Sequence, residues 1–246
     1  MLYLPDVEPG QAVKFVARFA TTITVTTDES KAYFLGKNVI ATGYPTRSDL
    51  HQADRAAARQ RFELASNRAT LLITGGSKGA RSLNRAITAN LAALLAKFQI
   101  IHISGATDAA EVRGVYEALP GDLKRYYHVF EYVHDMGLAL AAADLVISRA
   151  GASVLGEYPL FGLPSILVPY PYAWRYQKVN AQALVTRGAA VMLEDATLKT
   201  QLLPTIEQVL GDPARLSAMQ AAARSLAQPD PAQAIARVVQ LAGAGA

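Results

Sequence analysis

The chain has 246 residues and a net charge of +4, and it contains no cysteine, which excludes disulfide bonds and thiolate metal sites. No apolar run reaches the roughly 18 residues needed to span a bilayer. The first residues lack the basic and apolar segments of a signal peptide. Basic residues are scattered rather than clustered with aromatic ones, so the composition argues against nucleic-acid binding.

The first part of the chain, residues 1–46, fits poorly as a domain of its own. Its patterns predict, in order, a helix at 10–19, a strand at 22–27, a short helix at 28–34 and a strand at 38–43. Two strands and two short helices cannot make an independent core. We therefore interpret residues 1–46 as the remnant of an N-terminal domain and residues 47–66 as a connector that ends in a polar helix.

Residues 67–246 are predicted to form a C-terminal domain. Short apolar runs alternate there with helical patterns, and the runs lie at 69–75, 99–104, 125–130, 144–148, 164–169 and 189–194. Unbroken apolarity within a strand indicates that both of its faces are covered, which is typical of a parallel sheet wrapped by helices. The alternation of strand and helix predicts a doubly wound, Rossmann-like α/β fold.

Glycine-rich turns follow the first and the fourth of these strands. The first strand ends in "GGSKGAR" (75–81) and the fourth in "SRAGASVLGE" (148–157). In a doubly wound sheet these two strands are neighbours, and ligands bind outside their carboxyl ends. Gly76, Ser77 and Gly151 leave backbone N–H groups open at helix starts, which favours an anion. A plain helix cap remains the alternative for the first turn.

The second turn also suggests a ribose site. We expect the N–H groups of Ala152, Ser153 and Val154 to face a diphosphate. Glu157 lies one helical turn further, and a carboxylate beside the phosphates suits the two hydroxyls of a ribose. A solvated helix residue is the alternative for Glu157, but the two adjoining anion sites favour the ribose interpretation.

Two amide residues lie in the segment after the fifth strand. Gln177 and Asn180 are three positions apart and share a helix face, and amides suit the mixed hydroxyls of a sugar. The neighbouring aromatic residues either line the same opening or pack as a hinge; they are Tyr170, Tyr172, Trp174 and Tyr176.

The histidines point to no catalytic or metal site. His102 and His128 lie in predicted strands and are interpreted as packed core residues. No His/Asp/Ser triad and no metal-ligand spacing stands out, so we predict neither a metal ion nor another cofactor.

The two glycine turns, together with "GYPTR" (43–47), "EYVHDM" (131–136) and "GLPSILVPYPYAWRYQKVNA" (162–181), occur in an order that resembles the MurG family of glycosyltransferases. This resemblance covers essentially the whole chain. It implies a GT-B architecture of two halves, of which this chain is the C-terminal, nucleotide-sugar half preceded by the end of the N-terminal half. It also implies inverting transfer of N-acetylglucosamine from UDP-N-acetylglucosamine to lipid I, undecaprenyl-pyrophosphoryl-N-acetylmuramyl-pentapeptide, in peptidoglycan synthesis.

The resemblance further implies roles for individual residues. Ser77 would meet the phosphate or ribose side, Val133 would contact uracil through its backbone, and Arg47 would reach the donor from the connector. Gln177 would bind the sugar hydroxyls with Asn180 close by. The predicted donor-binding residues are Arg47, Gly76, Ser77, Tyr132, Val133, Met136, Gly151, Ala152, Ser153, Val154, Leu155, Gly156, Glu157, Gln177 and Asn180.

The sequence departs from the family pattern in three ways. Val154 replaces the usual threonine, and Tyr176 stands where a histidine or glutamine is usual. The family's other glycine loop and its N-terminal acceptor residues do not occur in this chain, so we assign no catalytic residue. We expect the chain alone to bind donor without transferring sugar, and residues 1–46 to be loosely held and easily removed by proteolysis.

Three interpretations of function stay open. The chain is a shortened form of a family enzyme, or a non-catalytic UDP-sugar-binding subunit that needs a separate partner chain, or, less well supported, a UDP-sugar epimerase of the same fold. The first implies lipid I as a partner through the missing half and peripheral association with the cytoplasmic face of the membrane. The family's membrane-docking surface lies mainly in the N-terminal half, so little binding of this chain to anionic vesicles is expected.

Overall fold

The computed structural model describes residues 1–76, 80–173 and 175–244. The first of its two sheets contains three parallel strands in the order β1-β2-β3, namely β1 (Leu2–Leu4), β2 (Thr22–Val25) and β3 (Asn38–Ala41). Helix α1 (Gln11–Ala17) and a 3-10 helix (Asp28–Tyr33) connect them. The sequence predicted only β2 and β3, because the three residues of β1 are too few to show a pattern.

The connector leads from this small sheet to the larger one. It contains a 3-10 helix (Ser48–Gln52) and helix α2 (Arg55–Arg61). The side chain of Asp54 begins α2 by accepting a hydrogen bond from the N–H of Ala57 at 2.8 Å.

The second sheet has six parallel strands in the order β6-β5-β4-β7-β8-β9. The strands are β4 (Thr70–Thr74), β5 (Gln99–Ile103), β6 (Tyr127–Phe130), β7 (Leu145–Ser148), β8 (Ser165–Leu167) and β9 (Ala190–Met192). All residues of the four central strands are buried, whereas the edge strands β6 and β9 are partly exposed. The doubly wound order that the sequence predicts is confirmed, with the winding reversing between β4 and β7.

Ten helices of the described chain follow or flank these strands. They are α3 (Arg81–Ala89), α4 (Leu91–Lys97), α5 (Ala109–Glu117), α6 (Gly121–Lys124), α7 (Met136–Ala142), α8 (Val154–Phe161), α9 (Tyr176–Thr186), α10 (Leu198–Leu210), α11 (Pro213–Ser225) and α12 (Pro231–Ala244). The helical segment between β4 and β5 is divided into two helices, α3 and α4. Asn90 separates them, because its backbone leaves the helical region and its side chain bonds the carbonyl of Ala86.

The larger sheet separates two apolar clusters. Leu72 and Val146 point into one cluster, and Leu71 and Leu145 point into the other, as the alternation of a strand requires. His102 is fully buried between the Asn84 side chain and the Tyr127 hydroxyl, and burial lowers its pKa to about 3, so the ring is neutral. The interpretation of His102 as a core residue is confirmed.

The small sheet is docked firmly against the larger unit. The side chain of Val7, just after β1, is buried in the same apolar cluster as Leu184 of α9. Glu29 forms an ion pair with Arg187 at the end of α9. These contacts contradict the expectation that residues 1–46 are loosely held, since removing Val7 would open the core of the larger unit.

Within the described residues, none of the helices combines the length and apolarity that crossing a membrane requires.

We predict that Gly162→Ala destabilises the fold more than Gly36→Ala. Both glycines have positive φ, 56° and 76°, which costs an alanine about 1 kcal/mol. A Cβ at Gly162, which ends α8, would also overlap the side chain of Arg224, whereas a Cβ at Gly36 would meet no atom of the described chain within 4 Å. Urea unfolding should show the larger loss for Gly162→Ala, and equal losses would contradict the overlap.

Candidate functional site

The two glycine turns meet at the carboxyl edge of the large sheet. Thr74, the last residue of β4, pairs with Ser148, the last residue of β7, so both turns begin at the same level. Gly76 has a φ of 81°, and among the described residues no atom lies within 4 Å of where its Cβ would be. Ser77, predicted to bind the phosphate or ribose side, lies outside the described residues.

The second turn presents fewer free N–H groups than predicted. The N–H of Val154 donates to the carbonyl of Gly151 at 3.1 Å, and that of Leu155 donates to Ala152 at 3.1 Å. No acceptor for the N–H groups of Ala152 and Ser153 is recorded in the described part of the chain. The anion site of this turn therefore consists of those two groups at the start of α8, and the Val154 N–H does not belong to it.

Three residues predicted to bind donor have other structural duties. The side chains of Val154 and Leu155 are buried in the apolar core, where a valine fits and a hydroxyl would need a partner. Gly156 faces Tyr44, just before the connector, since a Cβ there would lie 2.7 Å from the Cβ of Tyr44. The side chains of Val154 and Leu155 therefore do not line the crevice, and any part of these residues in donor binding comes through the backbone of α8.

Glu157 lies in the first turn of α8, partly buried at the crevice. Desolvation raises the pKa of its carboxyl, and the Ser153 hydroxyl and the positive charge of Arg47 oppose that rise. The same carboxylate contributes to the raised pKa of Tyr44, after the burial of that phenol. The structure thus brings Glu157 close to Ser153 and Arg47.

Arg47 lies on the connector and is more than half exposed. Its guanidinium pairs with Asp49 at 3.1 Å, a surface ion pair that contributes little to stability. Because the pair is exposed and weak, the guanidinium is available to a negative ligand beside Glu157. Tyr44, three residues earlier, was missed by the sequence analysis, and nothing short of its contact with Gly156 identifies it.

Arg149 holds the second turn in place. Its guanidinium donates to the carbonyl of Val168 at 3.1 Å, to the carboxylate of Asp195 and to the Ser82 hydroxyl at 2.8 Å. Ser82 lies in the first turn of α3, the helix that follows the first glycine turn. Arg149 therefore ties together the segments after β7 and β8 and the start of α3, and its donors are used within the protein.

Gln177 and Asn180 on α9 both contact Ala150, which directly precedes Gly151 in the second turn. The Oε1 atom of Gln177 accepts from the N–H groups of Tyr170 at 2.9 Å and Ala150 at 3.3 Å. No bond from its Nε2 group is recorded among the described residues. The Nε2 group of Gln177 thus remains as a hydrogen-bond donor, and its binding of the sugar stays a prediction.

Asn180 lies close to Gln177 on α9, but its amide makes its hydrogen bonds within the protein. It is fully buried, its Nδ2 group donates to Asp6 at 2.8 Å and to the Ala150 carbonyl at 3.2 Å, and its Oδ1 accepts from the Val7 N–H at 3.0 Å. Both of its donors are used, so a direct contact with a sugar does not fit this geometry. The helical spacing was correct, but it could not reveal that residues 6 and 7 cover this face.

The predicted uracil contacts lie further along the same edge. Tyr132 and Val133 follow β6, and Met136 begins α7. Tyr132 is exposed and stacks edge-on with His134 at 5.0 Å, whereas Val133 and Met136 pack against the core. An exposed aromatic ring suits a planar base.

The aromatic residues after β8 do not act as one group. Tyr170 and Tyr172 are exposed and contact each other edge-on at 5.5 Å. Tyr176, the departure from the family pattern, lies against Gly10 of the small sheet, where a Cβ would be 2.8 Å from its hydroxyl. Trp174 lies outside the described residues. In the described chain no three His, Asp or Glu side chains converge as a metal site.

We predict that Glu157→Gln stabilises the unliganded protein at pH 7. A carboxyl with a raised folded pKa favours folding below its unfolded pKa and loses that contribution as pH rises through the folded pKa. Removing the desolvated charge should therefore raise the free energy of unfolding at pH 7, with the gain vanishing in acid. Denaturant unfolding across pH measures this.

The exposed Glu111 serves as a matched control for that experiment. A hydrogen bond from Arg85 holds the pKa of the Glu111 carboxyl below its ordinary value, so Glu111→Gln should shift stability at pH 7 in the opposite direction. A loss of stability in Glu157→Gln at pH 7 would contradict the assignment of a desolvated carboxylate.

Comparison with known proteins identifies the family and the fold of this chain. Residues 70–235 match the Glycosyltransferase family 28 C-terminal domain. Two relatives named UDP-N-acetylglucosamine--N-acetylmuramyl-(pentapeptide) pyrophosphoryl-undecaprenol N-acetylglucosamine transferase come from Roseiflexus sp. (strain RS-1) and Chlorobaculum parvum. They are 41% and 39% identical, covering 98% and 95% of this chain and 63% and 64% of their own length.

The crystal structure of Acinetobacter baumannii MurG superposes with a TM-score of 0.77 and 26% identity, over 97% of this chain and 66% of that one. The resemblance to MurG and the Rossmann-like fold of a GT-B glycosyltransferase are thus confirmed. The chain spans somewhat less than two thirds of the length of the curated relatives it matches. The chain therefore belongs to glycosyltransferase family 28, of which it carries the C-terminal domain.

Proposed function

We propose that this chain supplies the donor-binding half of an inverting transferase that moves N-acetylglucosamine from UDP-N-acetylglucosamine to lipid I in peptidoglycan synthesis. The names of the relatives support this proposal. The observation that carries it is the pair of glycine turns at β4 and β7, with Glu157 one helical turn inside α8.

The proposed donor site follows the crevice from phosphate to sugar. The diphosphate lies against the N–H groups of Ala152 and Ser153, where the positive end of α8 favours an anion. The ribose hydroxyls donate to the Glu157 carboxylate, which repays part of its desolvation. The uracil lies at the turn containing Tyr132 and Val133.

The sugar and its transfer use the opposite side of the crevice. The Nε2 group of Gln177 donates to hydroxyls of the hexose. As the glycosidic bond breaks, charge grows on the leaving UDP, and the start of α8 together with Arg47 stabilises it. The acceptor half binds the substrate that carries the acceptor hydroxyl and supplies the base that removes its proton. We assign no base among the residues of this chain.

The domain boundaries that we propose are 1–46, 47–66 and 67–246, for the end of the acceptor half, the connector and the donor domain. A second candidate function is a non-catalytic UDP-sugar-binding subunit that works with a separate chain. It is favoured by the edge of β1, because in the described part of the chain β1 pairs with β2 alone and leaves one edge open to a further strand.

We also propose peripheral association with the cytoplasmic face of the membrane, where a lipid-linked acceptor is reached. The side chains of Phe15 and Phe19, on and just after α1, are 58% and 76% exposed, with Lys14 and Arg18 beside them. Aromatic and basic side chains together favour an anionic lipid surface. Because of this surface, we now expect the chain to bind anionic vesicles weakly but measurably.

The proposed donor site predicts different losses for two variants. Gln177→Ala should weaken UDP-N-acetylglucosamine by about three- to tenfold and leave UDP nearly unchanged, because the amide touches only the sugar. Glu157→Ala should weaken both ligands by about ten- to a hundredfold, because the ribose is common to them. Isothermal titration calorimetry measures all four affinities.

Wild-type protein titrated with ADP is the control for base selection, and its affinity should be lower than that for UDP. Equal losses of UDP and UDP-N-acetylglucosamine in Gln177→Ala would make that residue structural. Unchanged UDP affinity in Glu157→Ala would remove Glu157 from the site.

The surface of α1 predicts weak cosedimentation with vesicles containing anionic lipid at low salt. The binding should disappear at high salt, since the basic side chains act through screened charges. Phe15→Ser combined with Phe19→Ser should remove it, whereas Tyr172→Ser, an exposed aromatic substitution on the donor side, should not. Binding unaffected by the double substitution would exclude α1 as the contact.

A further inference from the structure

The buried amide of Asn180 joins the two sheets at the crevice. On one side its Nδ2 group donates to Asp6 at 2.8 Å and its Oδ1 accepts from the Val7 N–H at 3.0 Å. On the other side the same Nδ2 group donates to the Ala150 carbonyl at 3.2 Å. One side chain thus binds the segment after β1 and the turn after β7 at once.

Ala150 is also the point where Asn180 meets Gln177. The N–H of Ala150 donates to Gln177 at 3.3 Å while its carbonyl accepts from Asn180. Both amides come from α9, one helical turn apart, so the two peptide units that flank the Cα of Ala150 are each held by one of them. The orientation of Gln177 therefore depends on how Ala150 is held.

The segment that contacts Asn180 is itself well fixed. Val7 is buried in the core of the larger unit, and the Glu8 carboxylate lies 2.7 Å from the Arg175 guanidinium at the start of α9. Asp6 is only partly buried, and its negative charge contributes to the raised pKa values of Tyr3 and Tyr44 after their burial. Asp6 is thus the side chain of this segment that can be altered without opening the core.

We propose that Asn180 is a positioning residue, and that its hydrogen bond to Asp6 couples docking of the N-terminal segment to the grip of Gln177 on the donor sugar. The inference rests on the proposed function, in which Gln177 binds the hexose of UDP-N-acetylglucosamine. Asn180 acts through Ala150 and Gln177 and does not touch the ligand. The nucleotide, bound by α8 and Glu157, does not depend on this bond.

The physical reason is that each N–H group of a buried amide needs a hydrogen-bond acceptor. With Asp6 in place, both N–H bonds of Asn180 have acceptors in fixed directions, so the amide plane is fixed and the Ala150 carbonyl keeps its partner. Without Asp6, one N–H loses its acceptor and the amide is free to turn away from Ala150. The sugar contact then weakens, because Gln177 is hydrogen-bonded to Ala150 and the backbone of Ala150 is less well fixed.

The test compares UDP-N-acetylglucosamine and UDP affinities by calorimetry in four variants of the full chain. Asp6→Ala removes the acceptor, Asp6→Asn keeps an acceptor oxygen without the charge, Asn180→Ala removes the amide, and the fourth combines both alanines. Asp28→Ala is the matched control, because Asp28 is an exposed acidic residue of the 3-10 helix after β2 and is paired with Lys31. Thermal unfolding monitors the fold of each variant.

We expect Asp6→Ala to weaken UDP-N-acetylglucosamine about three- to tenfold and UDP less than about twofold. Asp6→Asn and Asp28→Ala should retain the wild-type ratio of the two affinities. The double alanine variant should lose little more than Asn180→Ala, because one coupled bond is removed only once.

Each other outcome overturns a defined part of the argument. A loss in Asn180→Ala with none in Asp6→Ala would mean that Asn180 touches the sugar directly. Additive losses, or equal losses in Asp6→Asn and Asp6→Ala, would mean that Asp6 acts on the ligand through its own contact or charge. If wild-type protein binds UDP but does not distinguish it from UDP-N-acetylglucosamine, the proposed function fails, and not merely the coupling.

Discussion

The hydrogen-bonded pairing of β4 with β7 determines where everything else at the crevice can lie. The register sets Thr74 opposite Ser148, so the turns that follow open side by side although they are far apart in sequence. The strand order reverses at this point, and the helices that follow leave toward opposite flanks of the sheet. A crevice results whose floor is backbone, and backbone N–H groups keep their direction whatever side chains surround them.

The charged residues of the crevice divide into those that hold the backbone and those that face outward. Arg149 donates hydrogen bonds to Val168, Asp195 and Ser82, and so fixes the second turn against its neighbours. Glu157 is held at the crevice in a desolvated position, which raises the pKa of its carboxyl and costs stability in the unliganded state. The rigid scaffold and the desolvated carboxylate lie within one short stretch, an arrangement typical of binding sites.

The sequence sufficed for the parts of the structure that follow from local pattern. Apolar runs predicted the six strands of the large sheet, and their alternation with helices predicted its order and hence the neighbouring turns. Local pattern could not show that Val154 is directed into the core, since a helix start has no complete period. Nor could it show that Asp6 and Val7 cover Asn180, because that contact joins segments with no shared periodicity.

The burial of Val7 has a consequence for how such proteins can be recombined. Its residue number places it with the small sheet, yet its side chain completes the apolar core on the other side of the connector. A chimera that took its first half from one relative and its second from another, joined at the connector, would leave that core facing a foreign side chain. In such a chimera, residues 5–9 should therefore come from the same relative as the second half. Covariation among relatives should link position 7 to α9 rather than to its own sheet.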